Sequence, residues 1–192
     1  MTDKRNITGI ILAGGKSSRM GTDKGFLMLN DKSFIQHSID ALKPLVSEII
    51  IVSNNPDYDT FGLNRINDSI ENAGPLAGIY SGLEESKTDY NLVLSCDIPL
   101  INSDILKQLI LVIDNVSEVI QIESNNRKMP LIALYKKSCI TTFKNLLNQG
   151  KRKLQFAVNQ CCVKSVSINE NEDLFTTNVN TKDELKQLKA CN

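Results

Sequence analysis

The sequence predicts an α/β fold: a mostly parallel sheet with helices on both faces. Three observations point to it. Short apolar runs that barely alternate, such as "EIIIVS" at 48–53, suit strands covered on both sides. Stretches with helical apolar stripes lie between these runs. Glycine and polar motifs fall just after the strands, where ligands gather in such sheets.

The elements follow in order. The apolar run 7–13 is rich in isoleucine and closed by Gly14-Gly15, so it reads as a buried strand. A polar loop comes next. Ser33 then opens a helix, with Gln36 three residues on as in a capping box. Ile35, Ile39, Leu42 and Val46 keep its apolar stripe. Strands are predicted at 48–53 and 64–67. Pro75 suits the first turn of a helix running to 85. "YNLVLS" at 90–95 is a strand, and 104–112 a helix. Residues 118–123 and 131–135 read as two strands joined by the polar turn "SNNRKM", a small antiparallel element in the form of a hairpin or a bulged connection. Helices at 139–148 and 154–160 and a strand at 163–168 precede an acidic loop. Thr181 with Glu184 makes a second capping box, for a helix at 182–190. Right-handed crossovers should join the parallel strands.

The chain has 192 residues, the size of one domain, and 41% are apolar, enough for an ordinary core. Lys plus Arg and Asp plus Glu balance at 22 each, which argues against bulk electrostatic binding to nucleic acid or an anionic membrane. Anion binding must therefore be local. No apolar run is long enough to span a bilayer, and the polar start "MTDKRNITG" does not read as a secretory leader. The five cysteines, Cys96, Cys139, Cys161, Cys162 and Cys191, are odd in number and contain no C-x-x-C. They are expected to be free thiols in a reducing cytoplasm. Cys161-Cys162 is a poor redox pair, because neighbours in a strand point to opposite faces. His37 is the sole histidine, which excludes a multi-histidine metal site. It lies off the apolar stripe and reads as a surface or supporting residue.

The stretch "IILAGGKSSRMGTDKG" at 10–25 contains Gly15-Lys16-Ser17, the ending of a P-loop. A P-loop needs a glycine five places before Gly15. Ile10 stands there, and Gly9 is one place too early, so the motif fails. Gly14 and Gly15 still allow backbone N–H groups to approach an anion. Lys16, Arg19 and Lys24 put three cations against Asp23 in the same loop. The residues alone leave two readings open, a local anion site or a solvated loop. Likewise Asp97, after a buried strand, either holds Mg²⁺ or caps the next loop.

"LAGGKSSRMGTDKG" resembles the signature of nucleotidyltransferases with a Rossmann-like sheet. Its Asp23-Lys24 ending is similar to the molybdenum cofactor guanylyltransferases. "GPLAGI" at 74–79, "CDIP" at 96–99 and "NVNTKDEL" at 178–185 match that family in order and spacing. The resemblance implies one domain over 1–192, with nucleotide binding in about 1–100 and acceptor binding in about 101–192. It implies transfer of GMP from GTP to the phosphate of molybdopterin, or its molybdenum-loaded form, with release of pyrophosphate. It also implies a cytoplasmic enzyme that delivers its product to molybdoenzyme apoproteins or their chaperones, with no nucleic acid or membrane partner.

The roles implied by the resemblance are specific. The Leu12, Ala13 and Gly14 backbone would contact the nucleotide, and Gly15 would continue the turn under the phosphates. Arg19 and Lys24 would neutralise the triphosphate, and Asp97 would hold Mg²⁺. Lys16 falls at a variable position and reads as surface charge. Gly74, Pro75, Leu76 and Gly78 would approach base and ribose. The family's asparagine after this strand, which would bond the base, matches Asn54 or its neighbour Asn55, with Asn54 preferred. Asp68 matches a nucleotide-binding aspartate of the family, or is a turn residue. "RKMPLIALY" places Arg127 and Lys128 as receivers of the pterin phosphate, with Asn178 and Asn180 shaping the acceptor pocket. A cytidylyltransferase for the same pterin would read Leu-Ala-Ala-Gly where this chain has Leu12-Ala13-Gly14-Gly15. A sugar-1-phosphate enzyme would carry Thr-Arg-Leu where Ser18-Arg19-Met20 stands. A non-catalytic nucleotide-binding adaptor should lack the phosphate lysine or the metal aspartate, and both are present.

Overall fold

The computed structural model describes residues 6–14, 23–70 and 73–190. Its main sheet has seven strands in the order β5-β4-β1-β6-β8-β7-β9. These are β1 (Ile7–Leu12), β4 (Glu48–Val52), β5 (Asn64–Ile66), β6 (Tyr90–Ser95), β7 (Val119–Ser124), β8 (Arg127–Lys136) and β9 (Val163–Ser167). Strands β2 (Met28–Leu29) and β3 (Lys32–Ser33) form a separate antiparallel pair. The helices are α1 (Phe34–Leu42), α2 (Pro75–Glu85), α3 (Ser103–Leu111), α4 (Cys139–Asn148), α5 (Leu154–Val158) and α6 (Lys182–Ala190).

Alternation along each strand explains the two helical layers. Ile11, Ile49, Ile51, Leu92 and Leu94 face α1 and α3. Ile10, Ile50, Val52 and Val93 face α2, α4 and α5. Both faces are therefore apolar, and the unbroken isoleucine runs are the trace of that. Each such side chain, fully buried, contributes about 1.5–3 kcal/mol.

Strand β1 pairs in parallel with β4 on one side and β6 on the other. The chain leaves β1 through α1 to reach β4, and leaves β5 through α2 to reach β6. Right-handed crossovers running in opposite directions put these helices on opposite faces. The switch of direction opens a crevice at the carboxyl ends of β1 and β6.

The antiparallel element is the hairpin β7–β8. Its turn is only Asn125-Asn126, with φ of 50° and 58°, and β8 pairs from Arg127 onward. Asparagine tolerates the left-handed region, so a two-residue turn suffices where the sequence suggested a longer one. The polar loop before α1 also contains structure. Its described residues include a 3-10 turn, Lys24–Phe26, and the β2–β3 pair, turned by Asn30 and Asp31 with φ of 49° and 61°. Two further 3-10 helices, Pro56–Phe61 and Glu170–Thr176, were not expected. Both carry capping signals: Asn55 before Pro56 in the first, and an Asn169–Glu172 box in the second.

Of the two expected capping boxes, the second is complete. The Glu184 N–H reaches Thr181 Oγ1 at 3.2 Å, and the Thr181 N–H reaches Glu184 Oε2 at 3.0 Å. The first is half made. The Gln36 N–H reaches Ser33 Oγ at 3.4 Å, but the Gln36 amide turns to Asp40 instead. His37 ties α1 to the small β-pair, with Nε2 2.9 Å from the Leu29 carbonyl oxygen.

Candidate active site

Register brings three motifs together. Leu12 is aligned with Val52 on one side and Ser95 on the other. The residues just past these, Gly14, Asn54 and Asp97, must therefore emerge side by side. The Ala13 N–H bonds to the Val52 carbonyl at 3.0 Å, and the Cys96 N–H to the Leu12 carbonyl at 3.1 Å. These groups of Leu12 and Ala13 are thus committed to the sheet. Gly14 is exposed, and a Cβ built on it would meet nothing within 4 Å.

Asp97 is the centre of the constellation. Its Oδ1 accepts from Ser95 Oγ at 2.6 Å and from Asn178 Nδ2 at 3.3 Å. Its Oδ2 faces Lys24 Nζ at 3.3 Å. The same ammonium donates to Asn180 Oδ1 at 2.5 Å. The segment 178–180 is pinned across the strand end by a 2.8 Å bond from the Val179 N–H to the Asp97 carbonyl. Val179 is itself buried, packed with Leu29, Phe34 and Leu188. The β2–β3 pair, α1 and α6 thereby deliver two asparagines to the aspartate. Glu184 holds Asn180 in turn, accepting from its N–H at 2.5 Å. Together with the Thr181 N–H, this bond keeps the Glu184 carboxyl below its usual range.

Asn54 and Asp68 also come together, the Asp68 N–H donating to Asn54 Oδ1 at 2.9 Å. Burial pushes the Asp68 carboxyl above the usual carboxylate range, against hydrogen bonds from the Ile70 N–H and Ser81. Asn55 is used differently. Its side chain accepts from the Asp57 N–H at 3.0 Å and donates to Asp23 at 3.1 Å. Gly74 is the N-cap of α2 at φ 75°, with no side chain capping the helix. Pro75 is exposed, whereas Leu76 is fully buried. Gly78 packs on the sheet, its Cβ position 3.1 Å from a Leu12 methyl. The close approach there is to β1. Gly15, Lys16 and Arg19 lie outside the described residues.

Beside Asp97 a cavity of about 630 Å³ runs between the β7–β8 turn and the C-terminal segment. Arg127, Met129, Asn178, Asn180 and Glu184 line it. Arg127 and Met129 lie there together and Lys128, between them in β8, does not. Successive strand residues alternate faces, so Arg127 and Lys128 are separated.

Two contributors escaped the sequence reasoning, Ser95 and Tyr58, and two were noticed without the bonds they make here, Asp23 as the acid of the loop and Asn55 as the alternative to Asn54. Ser95 Oγ reaches Asp97 from two residues away, a local signal that spacing could have supplied. The Asp23–Tyr58 contact spans 35 residues and has no local signature.

The donor set decides what metal chemistry fits. Asp97 supplies one carboxylate in a fixed plane, and among the described residues no group of three His, Cys, Asp or Glu could hold a metal ion. Magnesium takes one or two carboxylates and fills its shell with phosphate oxygens and water. The site thus fits a divalent ion that arrives with a nucleotide.

A doubly covered α/β sheet, with a lysine–aspartate pair and exposed glycine at its switch point, defines a nucleotide-handling enzyme of the nucleotidyltransferase class. The MobA-like NTP transferase domain family matches residues 9–162. The chain belongs to that family, and nucleotidyltransferases typically use a divalent metal. It is similar to a probable molybdenum cofactor guanylyltransferase of Flavobacterium johnsoniae, 35% identical over 95% of this chain and 96% of the relative. A protein of the same description from Clostridium perfringens is 40% identical over 93% of each. Among solved structures, molybdopterin-guanine dinucleotide biosynthesis protein A from Archaeoglobus fulgidus has the same fold. Its TM-score is 0.78 at 20% identity, over 96% of this chain and 97% of that one.

Proposed function

We propose that the chain transfers GMP from GTP to the terminal phosphate of molybdopterin or its molybdenum-loaded form. The observation that carries this reading is the Lys24–Asp97 pair, 3.3 Å apart at the sheet's switch point and bordered by the Arg127 cavity. GTP binds at the ends of β1, β4 and β6, with Gly14, Gly74 and Pro75 against the nucleoside. Asn54 and Asp68 lie at the same rim. Lys24 and Arg19 neutralise the triphosphate. Asp97 would hold Mg²⁺, which would supply charge stabilisation to the phosphate oxygens.

The acceptor phosphate lies in the cavity against Arg127. It is already anionic at pH 7, so no general base is needed. One of its oxygens bonds to the α-phosphorus as the bond to the bridging oxygen breaks, and pyrophosphate leaves. Catalysis then rests on positioning and charge stabilisation by residues fixed beforehand. The support for preorganisation is that Ser95, Asn178 and Asn180 already hold Asp97 and Lys24.

The likeness to molybdenum cofactor guanylyltransferases favours GTP, as does Gly14 in place of alanine. A cytoplasmic site and hand-over to molybdoenzyme apoproteins or their chaperones complete the reading. Among the described residues no helix is long and apolar enough to cross a membrane.

The test is incubation with molybdopterin, Mg²⁺ and GTP, CTP or UTP in turn. Pyrophosphate and a guanine dinucleotide should form with GTP alone. A product with CTP alone would make the enzyme a cytidylyltransferase, and no pyrophosphate with any nucleotide would overturn the proposal. Asp97→Ala should lower turnover by roughly 10²–10³-fold or more while the protein stays folded.

A further inference from the structure

We propose that Tyr58 is a positioning residue for Lys24, clamping the Lys24–Phe26 turn through the Asp23 carboxylate. The inference rests on Lys24 being the phosphate lysine. The Asp23 carboxylate receives three donors. The Gly25 N–H comes at 3.1 Å from within the turn itself. Asn55 Nδ2 at 3.1 Å and the Tyr58 hydroxyl at 2.5 Å come from the N-cap and the body of the 3-10 helix that follows β4. That helix is anchored to the sheet, so Asp23 fastens the turn to the body of the protein.

The fit around the hydroxyl is tight. Tyr58 is fully buried, stacked on Phe26 at 4.6 Å between ring centres and tilted against Phe61 at 6.2 Å. A Cβ on Gly25 would sit 2.1 Å from the Tyr58 oxygen, so the residue after Lys24 must be glycine while the clamp is closed. Desolvation, with the neighbouring Cys96 and Asp23, keeps the hydroxyl protonated and therefore a donor. Phenylalanine would keep the stacking and lose only the bond to Asp23. The clamp's output is the ammonium position, 3.3 Å from Asp97 and 2.5 Å from Asn180.

Two readouts test this. The first needs no activity: acetylation of lysines by an N-hydroxysuccinimide ester, quantified by peptide mass spectrometry. Tyr58→Phe should raise the Lys24 rate about threefold or more, because a charged hydrogen-bond anchor is lost, and leave exposed Lys107 and Lys189 unchanged. Asp23→Ala, which spares the aromatic stack but removes the Gly25 and Asn55 bonds as well, should give at least that gain, and adding Tyr58→Phe to it should give no more. The second readout is kcat for GTP-dependent pyrophosphate release. Tyr58→Phe should lower it about tenfold, and should lower it no further in a Lys24→Ala background. Unchanged Lys24 acetylation in both variants, or equal kcat losses in both backgrounds, would reduce Tyr58 to a packing residue and overturn the proposal. If the unmodified protein releases no pyrophosphate, guanylyl transfer fails as the reaction, and the acetylation comparison still decides the clamp.

Discussion

At the scale of single residues, two glycines contrast a packed position with an open one. Gly25 has no room for a methyl group because the Tyr58 oxygen would lie 2.1 Å away. Gly25→Ala should cost about 1–3 kcal/mol of stability, the usual result of overpacking, seen as a lower melting temperature. Gly14 is open, with nothing within 4 Å of a built Cβ. Gly14→Ala should leave the melting temperature unchanged and weaken GTP binding, measured by calorimetry. If affinity is unchanged as well, the Gly14 backbone does not touch the nucleotide. The lysine that invites notice, Lys16, sits inside a false P-loop ending. The pair in the structure is Lys24 with Asp97, residues 73 positions apart.

At the scale of elements, the caps carry site geometry as well as helix stability. Glu184 closes the box that begins α6 and also fixes Asn180, the acceptor for Lys24. Its carboxyl is held below the ordinary value of 4.5, mainly by the Asn180 N–H. A folded-state pKa below the unfolded one means that the unfolded chain binds more protons in that window. The contribution is therefore complete above about pH 4.5 and lost as pH falls through the depressed folded value. Thermal melts from pH 7 to pH 3 should show Glu184→Gln below the parent by a constant margin that closes in acid. A margin that widens in acid would contradict the sign. The β7–β8 turn makes a second element-scale case. Asn126 sits at φ 58°, so Asn126→Val should destabilise by roughly 1–2 kcal/mol, the cost of placing a β-branched side chain there.

At the scale of the whole molecule, the proposed nucleotide and acceptor regions share one sheet. Strand β6, which ends at Ser95 two residues before Asp97, pairs directly with β8, which carries Arg127. Unfolding should therefore be one cooperative transition in calorimetry. Mg²⁺-GTP at about one hundred times its Kd should shift that transition as a unit, by about 2.7 kcal/mol. Two transitions, only one of them moved by nucleotide, would divide the chain into separate folding units. The charge balance of 22 against 22 makes any anion binding local, and the structure concentrates Lys24, Asp97 and Arg127 around one crevice and its neighbouring cavity.

Much of this was written locally. Isoleucine runs at β1 and β4 announced strands covered on both faces. Pro75, Ser33 and the Thr181–Glu184 box marked helix starts, because capping and proline geometry depend on only a few neighbouring residues. The glycine motif, Lys24 and Asp97 were legible as a set through their order and spacing. What the sequence could not determine was partnership at a distance. Strand order follows from which apolar faces pack, so the adjacency of β1 to β6, and hence of Gly14 to Asp97, belongs to the tertiary fold. Alternation across β8 sent Arg127 to the cavity and Lys128 away from it. The hydroxyl of Tyr58 found Asp23, and Asn180 found Lys24, only because a hydrogen bond needs atoms within about 3 Å and chain separation sets no such distance.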